Sequence, residues 1–141
     1  KKHFEYGADY TVAKNSSVGT SVEIISTSAL RKVKKHFPSA DYSEYMTWYF
    51  QNNPEHFILN FVDLPQEWVR DYRLTLDYQE DLDVFNQIEK YFKDNNIIFS
   101  IQELYKFLDE NPKVSLINGH IGLLYKTDKN LIKILNKKTK I

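Results

Sequence analysis

The sequence predicts an α/β fold, and three observations predict it. Stretches with a period-two apolar pattern alternate along the chain with stretches at the helical period of 3.6. The sharpest switch falls at Asp77, between Arg73-Leu74-Thr75-Leu76 and the stripe Leu82, Phe85, Ile88 and Phe92. Caps and breakers such as Asn52-Asn53-Pro54 and Ser100-Ile101-Gln102-Glu103 punctuate the changes. At 141 residues the chain is long enough for one domain with a buried core. Its aromatic content of 15% makes Phe and Tyr the expected core fillers.

Phe4-Glu5-Tyr6-Gly7-Ala8-Asp9-Tyr10 reads as the end of a helix, a glycine stop and a strand that continues through Thr11-Val12. A chain that opens with Lys1 on the last turn of a helix suggests that an amino-terminal part is missing. Residues 14–20 are polar and read as a loop. Val22-Glu23-Ile24-Ile25 reads as a short buried strand with one acidic interruption. Ser26 or Thr27 caps a helix over 28–36, with Ala29, Leu30 and Val33 on its core face, and Phe37-Pro38 ends it. A second helix is expected over 41–52 and a strand over 57–62. Next come a strand over 73–76 and a helix over 79–92 packed through Leu82, Phe85 and Ile88. The capping box at Ser100 opens a short helix with Leu104 and Leu108 facing in, closed by Asn111-Pro112. From Lys126 to Ile141, lysines surround Leu131, Ile132, Ile134 and Leu135. That pattern fits a solvated terminal helix better than a membrane or nucleic-acid contact.

Composition excludes several functions. Lys+Arg and Asp+Glu are both 19, which argues against a dedicated nucleic-acid binder. There is no cysteine, hence no disulfide and no thiolate metal site. No apolar run approaches the ~20 residues that span a bilayer. No signal peptide is visible after Lys1-Lys2-His3-Phe4, so a cytoplasmic location is expected. His3, His36, His56 and His120 lack metal-ligand spacing and read as surface or boundary residues. No Gly-x-Ser-x-Gly elbow and no glycine-rich phosphate loop occurs. Tyr45, Trp48, Tyr49 and Phe50 form an aromatic helix face, which suits a core or a homodimer interface better than a sugar-stacking platform.

Four segments carry a resemblance. They are Gly7-Ala8-Asp9-Tyr10; Val18-Gly19-Thr20-Ser21-Val22-Glu23-Ile24-Ile25-Ser26 with Ala29-Leu30; Ser43-Glu44-Tyr45-Met46-Thr47 with Asn53-Pro54 and Phe57; and Arg73-Leu74-Thr75-Leu76-Asp77-Tyr78-Gln79-Glu80-Asp81-Leu82. Phe99-Ser100, residues 108–112 and Asn118 close the series. In order and spacing this resembles the carboxyl-terminal half of the SpsF-like spore coat polysaccharide cytidylyltransferases, relatives of the acylneuraminate cytidylyltransferases, over roughly residues 5 to 118. The resemblance implies the carboxyl-terminal part of a Rossmann-like nucleotidyltransferase domain, a mixed sheet flanked by helices. It places that half-domain at residues 1–118 and leaves 119–141 as a basic extension. It also implies a CMP-sugar made from CTP and an acidic or amino sugar, with Mg²⁺, while the charge balance and apolar pattern add no nucleic acid and no membrane as expected partners. The nucleotide-gripping loop would lie in the other half, so the 141-residue chain alone is expected to be inactive. Where the family often has Glu-His-Val-Thr this chain has Glu44-Tyr45-Met46-Thr47. Where it often has Gly-Leu-Asp-Val-Glu the chain has Gly19-Thr20-Ser21-Val22-Glu23. These departures keep open a rival reading, an interaction domain that retains the scaffold without the chemistry.

The candidate residues have physical readings of their own. Asp77 follows an apolar strand and precedes a helix. A carboxylate there can hold Mg²⁺, and Asp77-x-x-Glu80 is also a helix-capping pattern. Arg73 suits a phosphate or carboxylate, or pairs with Asp71 or Glu80. Asp81 reads as a first-turn acid that complements the helix dipole. Glu23 lies at a strand edge in solvent or aims into a polar pocket, and the resemblance implies an acceptor-sugar contact there. Glu44 is either a first-turn helix acid or part of the same sugar wall. No residue stands out as a catalytic acid or base.

Overall fold

The computed structural model describes residues 1–39 and 41–141, Leu124 and Tyr125 by backbone only. The chain forms two compact units. The first contains residues 1–14, 22–63 and 123–141, and the second contains residues 15–21 and 64–122.

The first unit is built on a three-stranded mixed sheet in the order β2-β1-β3. Helix α1 (Lys2–Glu5) stops before Gly7, whose φ of 57° is the left-handed conformation that ends helices. Strand β1 (Tyr10–Lys14) pairs parallel with β3 (Leu59–Asp63), Tyr10 opposite Leu59, and antiparallel with β2 (Ile24–Ile25). Asp9 ties the sheet to its surroundings. Its carboxylate accepts from the backbone of Ile58 at 3.0 Å and from the Ser26 hydroxyl at 3.3 Å. Ser26 also caps helix α2 (Thr27–His36) by accepting from the Ala29 backbone.

The core of this unit is aromatic, as the composition implies. Tyr10 stacks on Phe50 at 5.3 Å, and Phe50 meets Phe57 edge-on at 5.0 Å. Ala29 and Val33 close it from α2. Leu30, expected on the same face, is exposed. Its side chain lies off the narrow stripe that two small residues are enough to fill.

Three further expectations for the first unit change. The strand over 22–25 shrinks to two residues, and it is not buried, since Val22 is 76% exposed. The helix over 41–52 breaks into a 3₁₀ turn (Ser43–Tyr45) and α3 (Met46–Gln51). Its aromatic side chains are weak helix formers, and packing of Tyr49 and Phe50 sets the backbone instead. His3 is buried rather than peripheral, with Nδ1 2.8 Å from the Thr11 hydroxyl.

The carboxyl-terminal lysine-rich stretch is an integral part of the first unit. Helices α7 (Leu124–Thr127) and α8 (Lys129–Lys138) lead to a docked terminus. The buried Asn53 side chain donates to the Tyr49 carbonyl at 2.9 Å and to the Thr139 carbonyl at 2.7 Å. It accepts from the Ile141 backbone at 2.8 Å. Leu135 and Thr139 are fully buried. The formal zero charge is therefore unevenly spread: the terminal lysines make the first unit basic and leave the second acidic.

The second unit is helical. Helix α4 (Gln79–Asp94) packs with α5 (Ile101–Glu110) and α6 (Pro112–Ser115) around Val84, Ile88, Phe92, Leu104 and Leu108. Ser100 caps α5 as its capping box predicts. Tyr91 stacks on Phe107 at 4.2 Å. The buried stripe of α4 is Asp81, Val84, Ile88 and Phe92; Leu82 is 40% exposed and Phe85 only partly covered.

Residues 73–76 do not form a strand. They make one parallel bridge, Val18 to Arg73, with Val18 donating to the Tyr72 carbonyl at 2.9 Å and Leu74 donating to Val18 at 2.8 Å. The pairing goes no further because Gly19 turns away at φ 88°. A Cβ on Gly19 would stand 2.0 Å from the Leu74 carbonyl oxygen, so only glycine allows this approach.

Candidate functional site

In the first unit, three of the four sequence segments converge on one carboxylate. Tyr10 reaches it from β1, Glu23 from the position just before β2, and Thr47 from α3. The Tyr10 hydroxyl donates to Glu23 Oε1 at 2.7 Å, and the Thr47 hydroxyl donates to the same oxygen. Gln51 donates to the Tyr10 hydroxyl at 3.4 Å. Burial, with the Glu23 charge adding to it, pushes the Tyr10 phenol up to about 12. Tyr10 therefore stays protonated at neutral pH and remains a donor. Glu23 itself is exposed, and its Oε2 has no partner among the described residues. It opens to solvent, and a polar set behind it orients its carboxylate.

Glu44 sits exposed in the 3₁₀ turn beside Tyr45. Burial, together with the Glu44 and Asp128 charges, raises the Tyr45 phenol. Among the described residues Glu44 makes no hydrogen bond to Glu23, Tyr10 or Thr47.

In the second unit, the fourth segment folds around a buried aspartate. Asp81 accepts from Arg73 Nε at 2.8 Å and Nη2 at 3.0 Å, and from Asn118 Nδ2 at 2.8 Å. It also takes the backbone N–H groups of Asp77 at 2.9 Å and Tyr78 at 3.1 Å. Asn118 donates as well to the Arg73 carbonyl. The Arg73 guanidinium, helped by the other donors, holds the Asp81 carboxyl far below the usual carboxylate range. Asp81 thus supplies the reach-back half of a cap for α4 with Tyr78 at the N-cap, one residue further on than the expected Asp77-x-x-Glu80 pattern.

Arg73 pairs with Asp81 and Asp77 and leaves Asp71 and Glu80 aside. Its side chain is almost wholly buried, and its free face lies 5.4 Å from the Tyr78 ring. Asp77 remains 56% exposed. Its Oδ2 accepts from Arg73 at 2.8 Å and from Thr75 at 3.4 Å, and Oδ1 has no partner among the described residues. No group of three or more metal-ligating side chains occurs among the described residues. A single carboxylate still fits Mg²⁺, which usually binds through one or two carboxylates plus water and substrate phosphates. Asp77 has one free oxygen for that role.

Asp81, Asn118 and Thr47 are the residues that sequence reasoning undervalued. Each lies inside the quoted segments, but none has a signature at the level of spacing. The eight-residue separation of Arg73 and Asp81 carries no signal, because the pair meets only in the folded chain. Nothing in the sequence linked Thr47 to Glu23.

The fold is a nucleotidyltransferase fold. The chain matches the structure of a cytidylyltransferase from Leptospira borgpetersenii with a TM-score of 0.60 and 22% identity, over 77% of this chain and 45% of that one. In sequence the chain is 30% identical to the spore coat polysaccharide biosynthesis protein SpsF of Bacillus subtilis, over 80% of its own length and 41% of SpsF. It is 31% identical to an uncharacterised protein of Methanocaldococcus jannaschii over 80% of its length and 46% of that protein. No protein-family model matches. In sequence the chain is thus similar to SpsF and to the archaeal protein, and it spans less than half the length of the relatives it matches. No helix among the described residues is long and apolar enough to cross a membrane.

Proposed function

We propose that the chain is the sugar-facing part of a cytidylyltransferase that activates an acidic or amino sugar as a CMP-sugar for surface polysaccharide synthesis. The observation that carries this reading is the convergence of Tyr10, Glu23 and Thr47, from three separate segments, on one exposed carboxylate.

Glu23 Oε2 accepts a hydrogen bond from a sugar hydroxyl or ammonium, while Tyr10 and Thr47 fix the carboxylate from behind. A carboxylate held this way loses little rotamer freedom when the sugar binds. An oxygen of the sugar, its proton passing to water, attacks the α-phosphorus of CTP; the bond from that phosphorus to the bridging oxygen breaks, and pyrophosphate leaves. Asp77 is the residue of this chain suited to hold Mg²⁺. When bound, the metal neutralises charge on the phosphates. Arg73 acts behind Asp77, keeping its carboxylate aimed through Oδ2. The nucleotide-binding elements belong to the rest of the complete enzyme.

The test is pyrophosphate release from CTP by the complete enzyme against a panel of acidic and amino sugars. Release that requires both CTP and one such sugar supports the reading. Absence of release with every sugar, or equal release from other nucleoside triphosphates, counts against it.

A further inference from the structure

We infer that the second unit carries a subsite for a neutral saccharide, in a cavity of about 400 Å³ between the turn Gln66–Trp68 and helix α5. The volume falls within the ~300–1,000 Å³ of small-molecule sites. The pocket shares no residue with the Glu23 or Asp77 clusters, and the inference does not depend on nucleotidyl transfer.

Trp68 supplies the exposed aromatic wall, the almost wholly buried Tyr105 lines the pocket beside Arg70, and the Arg70–Asp109 pair supplies a polar wall. Arg70 Nε lies 3.0 and 3.2 Å from the two Asp109 oxygens, and Nη2 lies 2.9 Å from Oδ2. Both hydrogens of Nη1 go to backbone carbonyls, at 3.2 and 2.9 Å. The Tyr72 hydroxyl locks Asp109 from the other side at 2.5 Å. The guanidinium lies 5.9 Å from the Tyr105 ring centroid, which steadies it further.

This arrangement selects for a kind of ligand. Arg70 and Asp109 neutralise each other, and Lys106 offsets one of the two remaining lining acids, Glu67 and Glu110, so the pocket carries little net charge and does not favour an anion. One Nη2 hydrogen of Arg70 has no partner among the described residues, and Asp109 beside it keeps lone-pair capacity. A hydroxyl group, which accepts and donates at once, satisfies both. The indole N–H of Trp68, the Tyr105 hydroxyl and the Gln102 amide are likewise without partners among the described residues. An apolar ring face bordered by hydrogen-bonding groups is the complement of a pyranose, with C–H groups on its faces and hydroxyls at its edge.

The experiment is a titration of the chain with glucose, mannose, N-acetylglucosamine and their disaccharides. Binding is followed by saturation-transfer NMR and by tryptophan emission of a Trp48→Phe background, in which Trp68 is the sole emitter. The expected result is saturable binding of at least one neutral sugar. It weakens about tenfold or more in Trp68→Ala and several-fold in the surface change Gln102→Ala, with circular dichroism unchanged. Three results would overturn the inference: no saturable binding across the panel, binding that survives both substitutions, or tighter binding of cytidine or CMP than of any sugar in this pocket.

Discussion

Arg73 and Asp81 meet through two hydrogen bonds, Nε to Oδ1 at 2.8 Å and Nη2 to Oδ2 at 3.0 Å, with both side chains out of solvent. Breaking a buried pair by removing one partner costs about 3–5 kcal/mol, because the remaining charge stays buried. Asp77 still touches Arg73, so Asp81→Asn is expected near the lower end of that range. Urea unfolding of the purified chain measures it. A loss under ~1 kcal/mol would show that the pair does not anchor the second unit.

The same pair sets a pH dependence. Asp81 has a folded pKa below its unfolded value. Its contribution is complete above the unfolded pKa of ~3.9 and fades as pH falls through the lower folded value. Between about pH 4 and pH 2 the wild type should lose stability more steeply than Asp81→Asn. Parallel slopes for the two proteins would contradict the assignment.

Gly19→Ala should destabilise the second unit by several kcal/mol. The added Cβ meets the Leu74 carbonyl oxygen at 2.0 Å, and the φ of 88° is strained for any other residue. The bridge from Val18 to Arg73 depends on that approach, so hydrogen exchange at the Leu74 amide should rise with the loss of stability. A variant with wild-type exchange there would rule out the close approach.

Asn53→Ala should cost about 2–3 kcal/mol, since it leaves the buried Thr139 carbonyl and the half-buried Ile141 N–H without their partner. Removal of residues 139–141 should cost a similar amount by the same route. If truncation leaves the melting temperature unchanged, the terminus is not docked as described.

The α/β class and most helices were legible because caps and periodicity are local signals. Ser26 and Ser100 cap the helices that their side chains announce. The strand over 73–76 failed because a strand also needs a partner, and Gly19 removes it after a single bridge. Leu82 misled because the α4 stripe turns about one residue toward Asp81, a polar group that hydropathy patterns assign to solvent. The candidate residues Glu23 and Asp77 were legible as acids at element ends. The partners that orient them were not, because Thr47 and Arg73 reach them only through the folded chain.

Asp77→Asn in the complete enzyme separates a structural role from a metal role. Asp77 keeps one oxygen on Arg73 and does not cap α4 by its side chain. Stability should therefore change by no more than ~1 kcal/mol. If Asp77 holds Mg²⁺, turnover should fall on the order of a hundredfold and recover in part as Mg²⁺ is raised. An unchanged Mg²⁺ dependence would leave Asp77 only as the partner of Arg73.

The most direct test is the kinetics of Glu23→Gln in the complete enzyme, read as pyrophosphate release at varied sugar and varied CTP. Gln keeps the size of Glu and its bond from Tyr10 but removes the charge. The account predicts that KM for the sugar rises about tenfold or more, the loss of one charged hydrogen bond, while KM for CTP and the melting temperature stay near wild type. Unchanged KM for the sugar would contradict it and would leave Glu23 as an exposed acid held by Tyr10 and Thr47 for structural reasons alone.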